Sequence, residues 1–192
     1  MNRRHFCQHT LGSLLTYSLL ESIFRCDALA SEIRPVAAKW LADVNQMSVD
    51  LRGKRLEPIQ WQQQVEQLFS QVDVQEFLTF VDFAKLTKNL QFKDRGERSF
   101  RAAFPEVEGL PTQLVYGHQM FALRKGQSVV PHGHNNIATS FLVLRGEFEG
   151  KHYDRLEDTR EHMIIKPTID RKFVVGEYST VSDQKDNVHW FK

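Results

Sequence analysis

The chain has 192 residues, of which 41% are hydrophobic and 26% are charged, and its formal net charge at pH 7 is +1. This composition is ordinary for a globular protein and gives no sign of a nucleic-acid groove or a polybasic membrane patch. Cys7 and Cys26 are the only cysteines and both lie near the N-terminus, so the rest of the chain has no thiolate metal ligand or cysteine nucleophile.

Residues 1–30 are predicted to be a signal peptide. A basic start is followed by a modestly apolar run, and a small-x-small sequence ends at Ala30, where cleavage is expected. Arg3 and Arg4 with Phe6 resemble the twin-arginine export signal, which implies the twin-arginine machinery as a partner and a periplasmic location. The alternative is a short amphipathic helix in a protein that stays in the cytoplasm.

A helical region is predicted over residues 31–98. Apolar residues recur every three or four positions after Pro35, and Pro58 suits the first turn of a second helix. Asp73 with Glu76 resembles a capping box that begins a third helix, expected to continue to Leu86. The apolar stripes indicate packing within the protein, with docking of a partner chain as the alternative.

A β domain is predicted over residues 99–192, after the polar stretch 93–98. Its hydrophobic period is close to two, and turn sequences separate several of the apolar runs. Many short strands at near-regular intervals are typical of a sandwich or a barrel. The predicted strands are 99–104, 113–123, 127–130, 137–144, 147–153, 162–166, 172–175 and 178–182.

The segment around His132 and His134 has a pattern suited to metal binding. Residues i and i+2 of an extended strand face the same side, so these two imidazoles point together and can chelate one cation. A histidine from a distant strand would complete a facial ligand set. Such a set leaves coordination positions open to water, substrate or oxygen.

The spacing around these histidines resembles the first motif of the cupin superfamily. That motif sets His-x-His and a glutamate between two glycines, and Gly126, His132, His134 and Gly146 fall in register with it. The resemblance implies a mainly β fold: a cupin-type double-stranded β-helix, or jelly-roll barrel, with the helical region as an N-terminal appendage.

His189 is the third metal ligand that the resemblance implies. It stands where the second cupin motif has its histidine, although Gln184 and Asp186 replace the usual proline and glycine. The alternative is an ordinary core or surface histidine. Two other histidines, His152 and His162, are interpreted as exposed strand ends, with a place at the barrel mouth as the alternative.

Thr139 stands where the cupin motif has its glutamate. The remaining neutral set resembles that of the thiol dioxygenases of the superfamily, which hold ferrous iron with three histidines. Thr139 is then expected to contact substrate or to lie just behind the ligands. The competing interpretation is that metal binding was weakened or lost, because three neutral ligands attract a cation less than a set with a charged ligand does.

The sequence therefore predicts a metal-binding cupin that acts as an iron-dependent dioxygenase on a small molecule. Fe(II) is the expected metal, with Zn, Mn, Ni or Cu as alternatives, and a non-catalytic ligand-binding or structural module is the second hypothesis. No nucleic-acid partner is expected. Cupins usually continue beyond the position of Lys192, so the barrel is expected to be C-terminally incomplete, and its exposed edge would favour a homodimer.

Overall fold

The computed structural model describes residues 36–192. The predicted signal peptide lies outside the described residues. Within them the fold is β-rich, as predicted. The helices are Val36–Arg52 (α1), Pro58–Phe69 (α2), Val74–Phe80 (α3) and Phe83–Thr87 (α4). The strands are Arg98–Phe100 (β1), Met120–Ala122 (β2), Thr139–Leu142 (β3), Glu147–Asp158 (β4), Met163–Val174 (β5), Tyr178–Val181 (β6) and Val188–Phe191 (β7). No helix in this range has the length and apolar character needed to cross a membrane.

Helices α2 and α3 begin where the sequence predicts, but the third predicted helix is interrupted. Asp73 caps α3 by accepting a hydrogen bond of 2.9 Å from the backbone N–H of Glu76. The stretch predicted as one helix up to Leu86 is divided between α3 and α4, because Asp82 adopts a left-handed conformation with φ of 46°. The Asp82 carboxylate accepts from the backbone N–H of Lys85 at 3.3 Å and so starts the second piece.

The strands described in residues 36–192 form three antiparallel sheets, of order β1-β2, β3-β6 and β5-β4-β7, and not one closed barrel. The predicted strands 162–166 and 172–175 are joined in the single strand β5. It continues through Pro167, which an edge strand tolerates because its outer side needs no ladder hydrogen bond. The predicted strand 113–123 is reduced to β2, and β7 was not in the predicted set.

Helices α1, α2 and α3 enclose an apolar core with the β3-β6 sheet. The Trp40 ring stacks on Phe69 with centroids 5.5 Å apart and meets Phe77 edge-on at 4.9 Å. Phe69 in turn lies 5.7 Å from the ring of Tyr178 on β6. Burial of these large rings is a main source of stability and holds α2 against the sheet. Residues 36–192 form one compact unit, and the predicted boundary after residue 98 falls inside it.

Candidate metal centre

Strand β7 and the segment 129–132 pair along their backbones. The N–H of Val129 donates to the carbonyl of Phe191 at 2.9 Å. His132 and His189 each donate their backbone N–H to the other's carbonyl, at 3.2 and 3.0 Å. This short antiparallel ladder places the His-x-His sequence beside the histidine that lies more than fifty positions later in the chain.

The structure brings the three predicted ligands together. One ring nitrogen from each of His132, His134 and His189 lies within 4.8 Å of the other two. The ring centroids are 4.9 Å apart for His132 and His134, 4.6 Å for His132 and His189, and 5.2 Å for His134 and His189. The three imidazoles therefore form one group that could hold a metal ion.

Backbone carbonyls fix the proton on two of the three rings. The Nδ1 atom of His132 lies 2.8 Å from the carbonyl oxygen of Val130, and that of His189 lies 3.3 Å from the carbonyl oxygen of Asn187. A carbonyl can only accept, so each Nδ1 carries the hydrogen. Each Nε2 lone pair is then free for a cation, as in metal sites whose histidines are held by an outer hydrogen bond.

Burial favours the neutral form of the imidazoles of His134 and His189 by lowering their pKa. It lowers the pKa of His189 to about 4, and this outweighs the opposing hydrogen bond to the Asn187 carbonyl; the neighbouring rings of His132, His152 and His134 add to the lowering. Burial, together with His132, also lowers the pKa of His134. Since metals bind the neutral imidazole, His134 and His189 present their ligand form at neutral pH.

A fourth histidine lies against the cluster, contrary to the sequence interpretation. His152, expected at an exposed strand end, is 0% exposed and sits in β4 directly opposite His189, with ring centroids 5.9 Å apart. It lies an even number of positions after Phe148, so both point to the same face of the sheet. That parity could have identified His152 as an interior residue.

His152 has a different environment from the three clustered histidines. Its ring stacks on Phe173 at 6.1 Å, and among residues 36–192 neither ring nitrogen has a hydrogen-bond partner. Burial lowers its pKa to about 4 although Asp186 acts in the opposite direction, and Arg171 and Lys185 lower it further. A neutral, buried imidazole without partners acts here as an aromatic packing group.

The polar residues around β4 divide into two groups. Asp154 lies within β4 and accepts a hydrogen bond from the backbone N–H of Asp186 at 2.8 Å. His162 is exposed, as interpreted, and its Nε2 lies 3.2 Å from the carboxylate of Glu157. Asp154 is therefore partly buried beside the segment that leads to His189, whereas Glu157 and His162 are exposed.

Thr139 and the three histidines line the same open cleft. Thr139 is the first residue of β3, opposite Val181 of β6. Phe141 of the same strand lies 5.3 Å from the His189 ring. The cleft volume of about 2730 Å³ exceeds the roughly 300–1,000 Å³ of small-molecule pockets, so the volume does not select a ligand.

Comparison with known proteins gives no match to a family model and no match among curated proteins. Function must therefore be argued from the site itself. The three-histidine group is the feature of the described residues with the most specific chemistry, because three convergent neutral imidazoles suit a transition metal.

Proposed function

We propose that this chain is a metal-binding protein of the cupin type, and that it is an iron-dependent dioxygenase. The observation that carries the proposal is the convergence of His132, His134 and His189. The glycines in register around His-x-His and the β-rich, antiparallel fold support the jelly-roll assignment. A non-catalytic metal or ligand-binding module is the alternative outcome of the tests below.

The donor set fits a first-row transition metal. Imidazole nitrogens suit Fe, Zn, Cu and Ni, whereas Mg²⁺ and Ca²⁺ prefer oxygen ligands. Three protein ligands would leave positions open for water or substrate. A bound ferrous ion would supply the redox chemistry that reaction with oxygen requires.

The chain's own residues would shape the site around that ion. Phe141 and Phe191 lie 5.1 Å apart beside His189 and would exclude bulk water from one side of it. Thr139 offers a neutral hydroxyl on the cleft wall where the cupin motif has a carboxylate. An anionic or bidentate substrate would meet no negative charge at that position.

Metal content is the first test of the proposal. The chain purified without a histidine tag and loaded anaerobically with Fe(II) is expected to hold close to one metal ion, and His132→Ala is expected to lose it. His162→Ala is the matched control, because His162 is exposed and outside the cluster. Absence of metal in the loaded wild-type protein would show that the proposal is wrong.

Oxygen consumption tests the catalytic part separately. The iron-loaded protein is expected to consume oxygen with a substrate among small thiols or enediols, and the His132→Ala variant is not. Stoichiometric iron without consumption for any of these substrates would favour the non-catalytic module.

We also propose that residues 1–30 direct the protein to the periplasm through the twin-arginine machinery. Changing Arg3 and Arg4 to lysine is expected to leave the uncleaved protein in the cytoplasm, because the paired arginines carry the resemblance to the export signal. Cell fractionation with an antibody to the chain measures this. An unchanged distribution would contradict the proposal.

A further inference from the structure

A chain of hydrogen bonds runs from helix α2 to the backbone that carries the three histidines. It passes through Gln62, Ser182 and Asn187, and the side chains of all three are almost completely buried. We infer that Asn187 and Gln62 are positioning residues of the metal site, and that the helical region fixes the geometry of the ligands. This inference rests on the proposed metal site.

Asn187 contacts both ligand-bearing segments. Its Nδ2 atom donates to the carbonyl of His134 at 2.6 Å and to the carbonyl of Ser182 at 3.0 Å. Its own carbonyl lies 3.3 Å from Nδ1 of His189. Because Asn187 is 1% exposed, water does not compete for these bonds, and one buried residue sets the relative position of His134 and His189.

The glycine between the first two histidines makes room for this amide. A Cβ atom at Gly133 would overlap the Oδ1 atom of Asn187 and would lie close to Val188. Glycine allows such an approach of a side chain to the backbone. The His-Gly-His sequence is thus fitted to Asn187 as well as to a metal.

Ser182 connects Asn187 to the helix. Its Oγ atom donates to Oε1 of Gln62 at 2.7 Å and accepts from the backbone N–H groups of Gln184 and Lys185 at 3.1 and 3.2 Å. The hydroxyl thereby holds the turn that leads from β6 to Asn187. Gln62 is the residue outside the turn that fixes the hydroxyl.

Both the NH₂ group and the carbonyl oxygen of the Gln62 side chain form hydrogen bonds. Its Nε2 atom donates to Oγ1 of Thr180 at 3.2 Å, and the Thr180 hydroxyl donates to Glu66 one turn further along α2. Apolar side chains could fill this space if packing alone were needed. The amide instead orients the Ser182 hydroxyl. Because that hydroxyl holds the turn, the amide also fixes the position of Asn187 and with it the hydrogen bond between the Asn187 carbonyl and His189.

The decisive experiment replaces Asn187 with aspartate, which keeps the shape but removes the Nδ2 donor and sets a carboxylate oxygen against two carbonyl oxygens. Co²⁺ is the probe, followed by calorimetric titration and by the visible absorption of the bound ion. Asn187→Asp is expected to weaken Co²⁺ binding about 10–100-fold, the usual cost of losing an outer hydrogen bond at a metal site, and to alter the absorption bands. Asn89→Asp is the control, since Asn89 is exposed on another part of the chain.

A second pair of variants tests the helix directly. Gln62→Met keeps the size of the side chain without its hydrogen bonds and is expected to weaken Co²⁺ binding and shift the spectrum in the same direction. Gln63→Met changes the same residue type at the next, exposed position and is expected to do neither. If Asn187→Asp does not fold, Gln62→Met decides the question.

The outcomes distinguish the positioning role of Asn187 and Gln62 from the existence of the metal site. Wild-type affinity and spectrum in folded Asn187→Asp and Gln62→Met would overturn the positioning role and leave the metal site standing. Failure of the wild-type chain to bind Co²⁺ would overturn both. A lower Co²⁺ affinity and a changed spectrum in these variants, and in neither control, would establish that Asn187 and Gln62 position the metal ligands.

Discussion

Replacement of His189 by alanine is expected to lower the affinity for Co²⁺ more than about 100-fold, whereas His152→Phe is expected to change it only a few-fold. The two histidines are 2% and 0% exposed and lie directly opposite each other on adjacent strands. Only His189 belongs to the converging group. Losing one of three ligands should exceed the roughly 10–100-fold cost of losing an outer contact.

His152→Phe is a stringent control because a phenylalanine ring keeps the packing of the protein interior. The ring stacks on Phe173 and loses no hydrogen bond among the described residues, so phenylalanine can take its place. Removal of two unpartnered nitrogens should stabilise the metal-free protein by on the order of 1 kcal/mol. Calorimetric titration measures the affinities and thermal unfolding measures the stability. Equal losses of affinity in both variants would contradict the assignment of three ligands.

The parts of the site that depend on residues close together in the sequence could be predicted. The shared direction of His132 and His134 follows from strand parity within three residues. His189 was added by the resemblance to the second cupin motif, and the ladder between β7 and residues 129–132 brings it to the pair. The burial of His152 was missed although the predicted strand 147–153 places it on the same face as the apolar Phe148.

The positioning network could not be predicted because its partners are far apart in sequence. Helical spacing from Val65 and Phe69 places Gln62 on the buried face of α2, unlike Gln63 and Gln64. It does not identify Thr180, 118 positions away, as the partner of Gln62. The burial of Gln62 depends on the packing of α2 against β6. In contrast, the first residues of α2 and α3 could be predicted, because proline and aspartate favour the beginning of a helix through contacts within its first turn.

The bounds of the strands were also hard to predict from the sequence, because they depend on pairing with distant strands. The predicted division of 162–175 into two strands reflects the proline, but the pairing of β5 with β4 keeps the segment extended through Pro167. The break at Asp82 depends on a left-handed residue that the apolar spacing does not reveal. Periodicity therefore predicted the type of most elements better than their ends.

Acid is expected to destabilise the metal-free protein as the pH falls from 6.5 towards 4. Burial lowers the pKa of both His152 and His189 from the ordinary value of 6.5 to about 4. In this range the unfolded chain binds protons at both positions and the folded chain does not, so protons favour unfolding. The stability is fully present above pH 6.5 and is lost as the pH falls through the folded pKa.

The expected size of this loss is at most about 3.5 kcal/mol for each histidine, because one pKa unit corresponds to about 1.4 kcal/mol. Together they approach the total stability of a small domain, which is about 5–15 kcal/mol. The groups that act on His152 are Asp186, which favours its protonation, and Arg171 and Lys185, which oppose it. Asp186 is 2% exposed and therefore limits the loss from His152.

Urea unfolding at a series of pH values, in the presence of a chelator, measures this dependence. His152→Phe is expected to remove one of the two protons taken up on unfolding and so to reduce the slope of stability against pH between 6.5 and 4. Gln63→Met is the control and should leave the slope unchanged, because it changes an exposed side chain that does not titrate. A wild-type slope in His152→Phe would mean that the ring is already accessible to protons in the folded chain, and the packing role assigned to it would be wrong.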